Sequence, residues 1–513
     1  MNKLISCVAL LSCSLMGCGD HGSRGITAHL PGDEEPTQPE WITVIPPQQS
    51  TDGNYWPVNA LNAYFDESNY VGVVGYGAYY TTQSITVPAL CIKFLGEHCV
   101  DGKRDGTTYT LSNTWVGGQA ARFYDSGDET IIEWDRDLHR STDSTQDLQQ
   151  FSPAVHTIDS VNVPLTPPKG TTADPATAID YFFTTYDRNA YYLYSKVVDD
   201  LITKGITTKM DTYDILDSTG EAGVEQVAVD FPSDPGQNTA LNALIFYNNS
   251  EIGVIKGGQG PNPLQVPAGL SQFRAVAVQP GVDSPAFFAA YADQLYLNPG
   301  TGGPWQNITV STNNMTIADV VVNWGDKEAQ VVVMTIAGTV YYNPSISLEP
   351  PYSQNTWVQL GSNMSNGGFA YLQTHFSSNN TYPQIVVVGS AGSSAYPSQV
   401  FYVWYFNGTS GSAWKQIGGF AGYVVTDVYK MAVISWPSAA ESLPSYLLSY
   451  WYDEPTYYQY LLDYFDGTES INLYASTQFA INDFAYGNDS ATSDLSQILI
   501  GLTNGSVLQT SLD

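Results

Sequence analysis

From Ile317 the chain reads IADVVVNWGDKEAQVVVMTIAGTVYYN. An apolar run meets a polar turn, a second apolar run, a Gly-containing turn and a third run. Runs of about 4–8 β-branched and aromatic residues bounded by turn formers predict strands. A short fourth run follows about a dozen residues later, TWVQLG at Trp357. The same order recurs with different residues. Val224 opens VEQVAVDF and ALIFYNNSEIGVI, and Phe273 opens FRAVAVQP, AFFAAYADQLYLN and PWQNI. GFAYL at 368–372 leads to PQIVVVG, QVFYVWYFNG and AWKQIG. Thr426 and Asn482 open two further copies, and IDYFFTTYD from Ile179 opens the earliest clear one. Aligned at Tyr181, Val227, Val276, Val320, Tyr371, Val428 and Phe484, the copies are spaced by 44 to 57 residues.

A period of about 40–50 residues with four short strands is the mark of propeller blades, each too thin to bury both faces alone. From about residue 178 onward the repeats resemble β-propellers in general. They match no one subfamily. There is no Gly-His…Trp-Asp pairing of the WD-repeat type and no Ser-x-Asp-x-Gly-x-Thr-Trp box of the sialidase type. The resemblance implies an all-β ring of seven or eight four-stranded blades. The last copy supplies three strands. WITVIP at Trp41 carries the Trp-x-x-apolar pattern of the fourth strands at Trp305, Trp357 and Trp414. An N-terminal strand is therefore expected to complete the last blade. The N-terminal third is less regular. Residues 58–118 read as a further blade, 119–177 as an insertion, and 192–204 have a spacing that also suits a helix. A separate N-terminal domain is the alternative.

The chain opens MNKLISCVALLSCSLMGCGD. Lys3 precedes an apolar run, Leu4 to Leu15, too short for a bilayer helix of about 20 residues and suited to an export signal. Leu15-Met16-Gly17-Cys18 resembles the lipobox of bacterial lipoproteins. That resemblance implies a signal peptide over residues 1–17 and acyl chains, palmitate among them, on Cys18. It also implies a polar tether over 18–40 and a propeller over 41–513. Gly19 after the acylated cysteine points to the outer rather than the inner membrane of a bacterial cell envelope. Two or more acyl chains anchor a protein firmly.

Charge narrows the partners. Eighteen basic residues against fifty acidic ones give a formal net charge of −32. Such a surface repels phosphate backbones, which require Lys and Arg, so nucleic acid is excluded as a partner. In an exported chain Cys91 and Cys99 read as a disulfide, with a Cys/His metal site that uses His98 as the other reading.

Candidate chemistry is sparse. An Asp precedes the first strand of four copies, at Asp180, Asp319, Asp427 and Asp483. Gln226 and Ala275 take its place in two others. Lining a channel mouth, these carboxylates would hold Ca²⁺ or accept sugar hydroxyls. The competing reading has each Asp accept backbone N–H groups in its own turn. Trp115, Trp305, Trp357 and Trp414 would stack on sugar rings or pack between blades. No Gly-x-Ser-x-Gly elbow, His-Glu-x-x-His helix or phosphate loop is present. The expectation is a membrane-anchored binding or scaffold protein whose ligand is a protein or a glycan. Its rival is a glycan-active hydrolase or lyase with paired carboxylates in the channel.

Overall fold

The structure is a computed structural model. It describes residues 39–48 and 55–66, the strand residues between 69 and 264, and the chain from 265 to 512 apart from short loop segments. Cys18, Cys91 and Cys99 lie outside the described residues. Every regular element among the described residues is a strand.

Among the described residues, eight four-stranded antiparallel sheets follow one another along the chain. Sheet 1 comprises Val58–Asp66, Asn69–Tyr76, Ala120–Asp125 and Thr130–Trp134. Sheet 2 comprises Val155–Pro164, Thr177–Thr185, Ala190–Val197 and Asp211–Asp217. Sheet 3 runs through Val224–Asp230, Asn242–Tyr247, Ile252–Lys256 and Gln259–Leu264. Sheet 4 takes Ala275–Val278, Phe287–Tyr291, Gln294–Asn298 and Gln306–Ile308. In sheet 5 the strands are Ile317–Trp324, Glu328–Thr335, Val340–Ser347 and Val358–Leu360. In sheet 6 they are Phe369–His375, Gln384–Ser393, Tyr396–Phe406 and Lys415–Gly419. Sheet 7 holds Val424–Ser435, Ser445–Glu454, Tyr457–Phe465 and Ser470–Ser476. Sheet 8 holds Ile481–Asn488, Leu495–Leu502 and Val507–Ser511, and its fourth strand is Ile42–Ile45 from the other end of the sequence. This is a propeller-like arrangement.

In sheets 5, 6 and 7 the strands read as unbroken apolar runs because both faces are covered. In sheet 5, Val331 and Val333 pack with Phe288 and Leu297 of sheet 4. The residues between and after them, Val332 and Met334, pack with Leu372, Ile385 and Val387 of sheet 6. Val386 and Val388 then turn the other way, onto Val428, Met431 and Tyr446 of sheet 7. Period-two alternation thus sends alternate side chains to opposite neighbours, and each fully buried one contributes about 1.5–3 kcal/mol. Further clusters join sheets 3 and 4 through Phe246 and Phe287, and sheets 7 and 8 through Leu447, Leu462, Phe484 and Ile500.

Sheets 8 and 1 also meet. The first strand of sheet 1 packs on the first two strands of sheet 8. Asn482 Nδ2 donates to Val58 O at 2.8 Å and Tyr70 OH donates to Gln509 Oε1 at 2.9 Å. The approach requires glycine at Gly501 and Gly487, where a Cβ would collide with Val58 and Phe65.

The N-terminal strand is fixed by its tryptophan. Trp41 Nε1 donates to Leu473 O of sheet 7 at 2.9 Å, and its ring meets Tyr474 edge-on. Trp414 Nε1 reaches Leu360 O of sheet 5 at 2.9 Å, and Trp305 Nε1 reaches Gln265 O, just past sheet 3, at 2.8 Å. In all three the indole crosses to the outer edge of the preceding sheet. The apolar residue three positions on, Val44, Ile417 or Ile308, is buried.

The N-terminal third differs from the sequence expectation. Residues 120–134 form the third and fourth strands of sheet 1, not an insertion. The extra material lies at 78–117, between the second and third strands of that sheet. There Ala78–Thr81 pairs with Thr114–Gly117, and Ile85–Pro88 with Thr108–Leu111. Sheet 2 opens at Val155–Pro164, so the copy placed at Ile179 begins one strand late. That first strand, VHTIDSVNVP, mixes polar and apolar residues on both faces and carries no clean period. Residues 190–197 are a strand rather than part of a helix.

Trp41→Ala is expected to lower unfolding stability by about 2–4 kcal/mol, somewhat below the cost at a fully buried tryptophan. Chemical denaturation measures it. Gly501→Ala should destabilise comparably, whereas Gly411→Ala, with open space around it, should cost less.

Candidate functional site

The first strands share a local feature. In seven of the eight sheets the pairing to the second strand slips by one residue near the start. The extra residue is Asn59, His156, Glu225, Ala318, Ala370, Thr426 or Asn482. A bulge raises the local twist and re-aims the side chain that follows. The residue after it is Ala60, Thr157, Gln226, Asp319, Tyr371, Asp427 or Asp483. Three of the four aspartates therefore share one structural position. Tyr371 occupies it in sheet 6, one residue off the sequence alignment. Asp180 does not. It lies in the second strand of sheet 2, opposite Val161 and Tyr194.

At Asp483 the position joins three sheets. Its Oδ1 takes a hydrogen bond from Lys430 Nζ of sheet 7 at 2.5 Å and from its neighbour Phe484 N at 2.8 Å. Its Oδ2 accepts Leu61 N of sheet 1 at 2.7 Å. Lys430 also donates to Phe484 O at 2.7 Å and lies 4.9 Å from the centre of the Phe484 ring. Tyr371 plays the matching part between sheets 6 and 7, donating to Val428 O and Tyr429 O. Both side chains grip the same place in the next sheet, because Leu61 and Val428 each sit one residue past the post-bulge position.

Asp319 has no such partner among the described residues. It accepts only Val320 N, at 2.8 Å. Burial without a cation pushes its carboxyl from 3.8 to about 6, against the smaller opposing effect of the Val320 bond. Asp427 holds the equivalent place in sheet 7, opposite Trp451. Among the described residues no three His, Cys, Asp or Glu side chains come together as a metal-binding group. Asp483 already has its cation in Lys430.

The tryptophans divide in the same way. Trp305 and Trp414 clamp adjacent sheets, and Trp305 stacks on Phe273 at 6.2 Å and 12°. Trp357 packs partly buried on the cluster between sheets 4 and 5 and donates to Gln354 Oε1 at 3.3 Å. Trp115 is not in the fourth strand of a four-stranded sheet. It lies in Thr114–Gly117 of the extra segment, opposite Tyr80.

Sequence reasoning missed Lys430, Tyr371 and Asp463. Asp463 is buried in sheet 7, held by Tyr450 OH at 2.6 Å and Asn472 Nδ2 at 2.8 Å. Desolvation pushes its carboxyl up, and those two neutral donors counter only part of that. Its signal was available, as a lone charge inside the apolar run YYQYLLDYF.

No protein-family model and no curated protein matches the chain. Solved structures with a similar outline include the Dos1 propeller, at 7% identity over 91% of this chain and 95% of that one, TM-score 0.47. Chaetomium thermophilum Sqt1, bound to the N-terminus of ribosomal protein L10, is 12% identical over 91% of this chain and 100% of that one, TM-score 0.45. YCF48 from Cyanidioschyzon merolae is 9% identical over 92% and 98%, TM-score 0.39.

The unpaired acid makes stability pH-dependent with a definite sign. Between about pH 4 and 6 the folded state keeps a proton on Asp319 that the unfolded state has lost, so stability falls as pH rises through that window. Asp319→Asn should remove that fall and raise stability at pH 8 by up to about 3 kcal/mol. Asp483→Ala should instead cost about 1–3 kcal/mol, by leaving the Leu61 N–H without an acceptor. Denaturant titrations at pH 4, 6 and 8 separate the two.

Proposed function

We propose that the protein is a lipid-anchored binding scaffold of the bacterial cell envelope. In this reading the eight sheets are the blades of a closed ring, with residues 42–45 completing the last. Its partner is a protein, held on one end of the ring. Cys18 carries the lipid, residues 18–40 form the tether, and the outer membrane is the destination.

The observation that carries the reading is the segment at 78–117. In sheets of this antiparallel order, the connection between second and third strands leaves from the same end as the connection to the next sheet. The segment extends that connection of sheet 1 into a two-stranded β-arm. Strands paired on one side only keep a free row of N–H and C=O groups, a template for an added strand. The arm is rich in aromatics, with Tyr79 and Tyr80 opposite Val116 and Trp115, and Val87 opposite Tyr109. Aromatic residues dominate the energetics of protein interfaces. A Cys91–Cys99 disulfide would close the span between the paired strands 85–88 and 108–111. The candidate aspartates support the same reading, since Asp483 is committed to joining sheets.

Replacement of 78–117 by a short Gly-Ser turn should leave the unfolding transition of the ring close to that of the parent. A photo-crosslinking residue at Tyr80 in intact cells should give one discrete protein adduct, and the same residue at Gln359 of sheet 5 should give none. Equal labelling from both positions would contradict the proposal. Cys18→Ala should move the protein from the membrane to the soluble fraction.

A further inference from the structure

Sheet 6 and the loop between the first two strands of sheet 7 border a cleft of about 420 Å³, within the range of small-molecule sites. Tyr405, Asn407, Ser412, Ala413, Lys415, Ser442 and Leu443 line it. The third strand of sheet 6 brings Tyr405 to the cleft, and the outer strand brings Lys415.

Among the described residues, two of these side chains have unspent donors. Tyr405 is 2% exposed. Gln384 Nε2 donates to Pro437 O at 3.0 Å, which fixes the orientation of that amide. The same nitrogen donates to the Tyr405 hydroxyl at 3.0 Å, so the phenol oxygen accepts there and its own hydrogen has no acceptor among the described residues. Burial pushes the phenol up to about 12, so the hydrogen stays in place across the neutral range. Lys415 makes no hydrogen bond or ion pair among the described residues. By contrast, Lys327 is paired with Glu349 and Lys430 with Asp483. No carboxylate lines the cleft among the described residues, in a chain with a formal net charge of −32.

We propose that this cleft is a binding site for an acidic sugar, a hexuronate. Its carboxylate takes the Lys415 ammonium and the Tyr405 O–H, and its hydroxyls meet Asn407, Ser412 and Ser442. A buried phenol donor without an acceptor is costly, and a carboxylate satisfies it with a charge-assisted bond. Of the remaining lining, Asn407, Ser412 and Ser442 offer carboxamide and hydroxyl groups and Ala413 and Leu443 an apolar surface, a mixture that suits a sugar ring with its hydroxyls better than a bare anion.

Isothermal calorimetry on the detergent-solubilised full chain at low ionic strength tests this with three probes. Glucuronate carries both features, glucose only the hydroxyls and inorganic phosphate only the charge. Glucuronate should bind at least about tenfold more tightly than either, and Lys415→Met should weaken it by about tenfold or more. Tyr405→Phe should weaken it as well. Lys415 is exposed and unbonded, so its variant keeps the test valid if loss of the Tyr405 hydroxyl disturbs packing. Phosphate binding as tightly as glucuronate, no glucuronate binding, or undiminished binding by Lys415→Met would each overturn the proposal.

Discussion

A four-stranded sheet with apolar residues on both faces cannot stand alone in water. That constraint governs the rest of this protein. Val331 and Val333 need sheet 4, and Val332 and Met334 need sheet 6. Sheet 6 in turn commits Ile385 and Val387 to one side and Val386 and Val388 to the other. Each sheet transfers the demand to the next. Sheet 1 packs on sheet 8 in the same way, with glycines at Gly487 and Gly501 to admit Phe65 and Val58.

Polar side chains follow from the same geometry. The bulge at the start of the first strands turns the next side chain toward the neighbouring sheet. A carboxylate there becomes a cross-sheet acceptor at Asp483, a phenol becomes a donor at Tyr371, and Asp319 meets only the Val320 N–H among the described residues. One position thus yields two bonded joints and one carboxyl left half-neutral near pH 6. Indole N–H groups at Trp41, Trp305 and Trp414 repeat a second joint at the outer edge. The segment at 78–117 and the polar cleft between sheets 6 and 7 take no part in these joints.

Much of the fold was legible from the residues. Strands buried on both faces announce themselves as apolar runs such as AQVVVMT and PQIVVVG, and the Trp-x-x-apolar pattern at Trp41 marks Ile42–Ile45 as a fourth strand. The first strand of sheet 2 was not legible, because VHTIDSVNVP lacks a clean period, and so Asp180 was assigned to the wrong strand. Trp115 shares a Thr-Trp string with Trp357 but sits in the arm, since a two-residue match says nothing about register. The joints were illegible for a different reason. Lys430 and Asp483 are 53 residues apart, and only the one-residue slip of the bulge brings them together.

The most direct test of the account is the pairing that joins the two ends of the sequence. Thr43 and Leu508 are Cα partners in sheet 8. The doubly substituted chain Thr43→Cys, Leu508→Cys should form an intramolecular disulfide under mild oxidation, identified by peptide mapping, and should melt at a higher temperature than its reduced form. If both new cysteines stay reduced, or link only between molecules, the ring is not closed by this strand and the account fails.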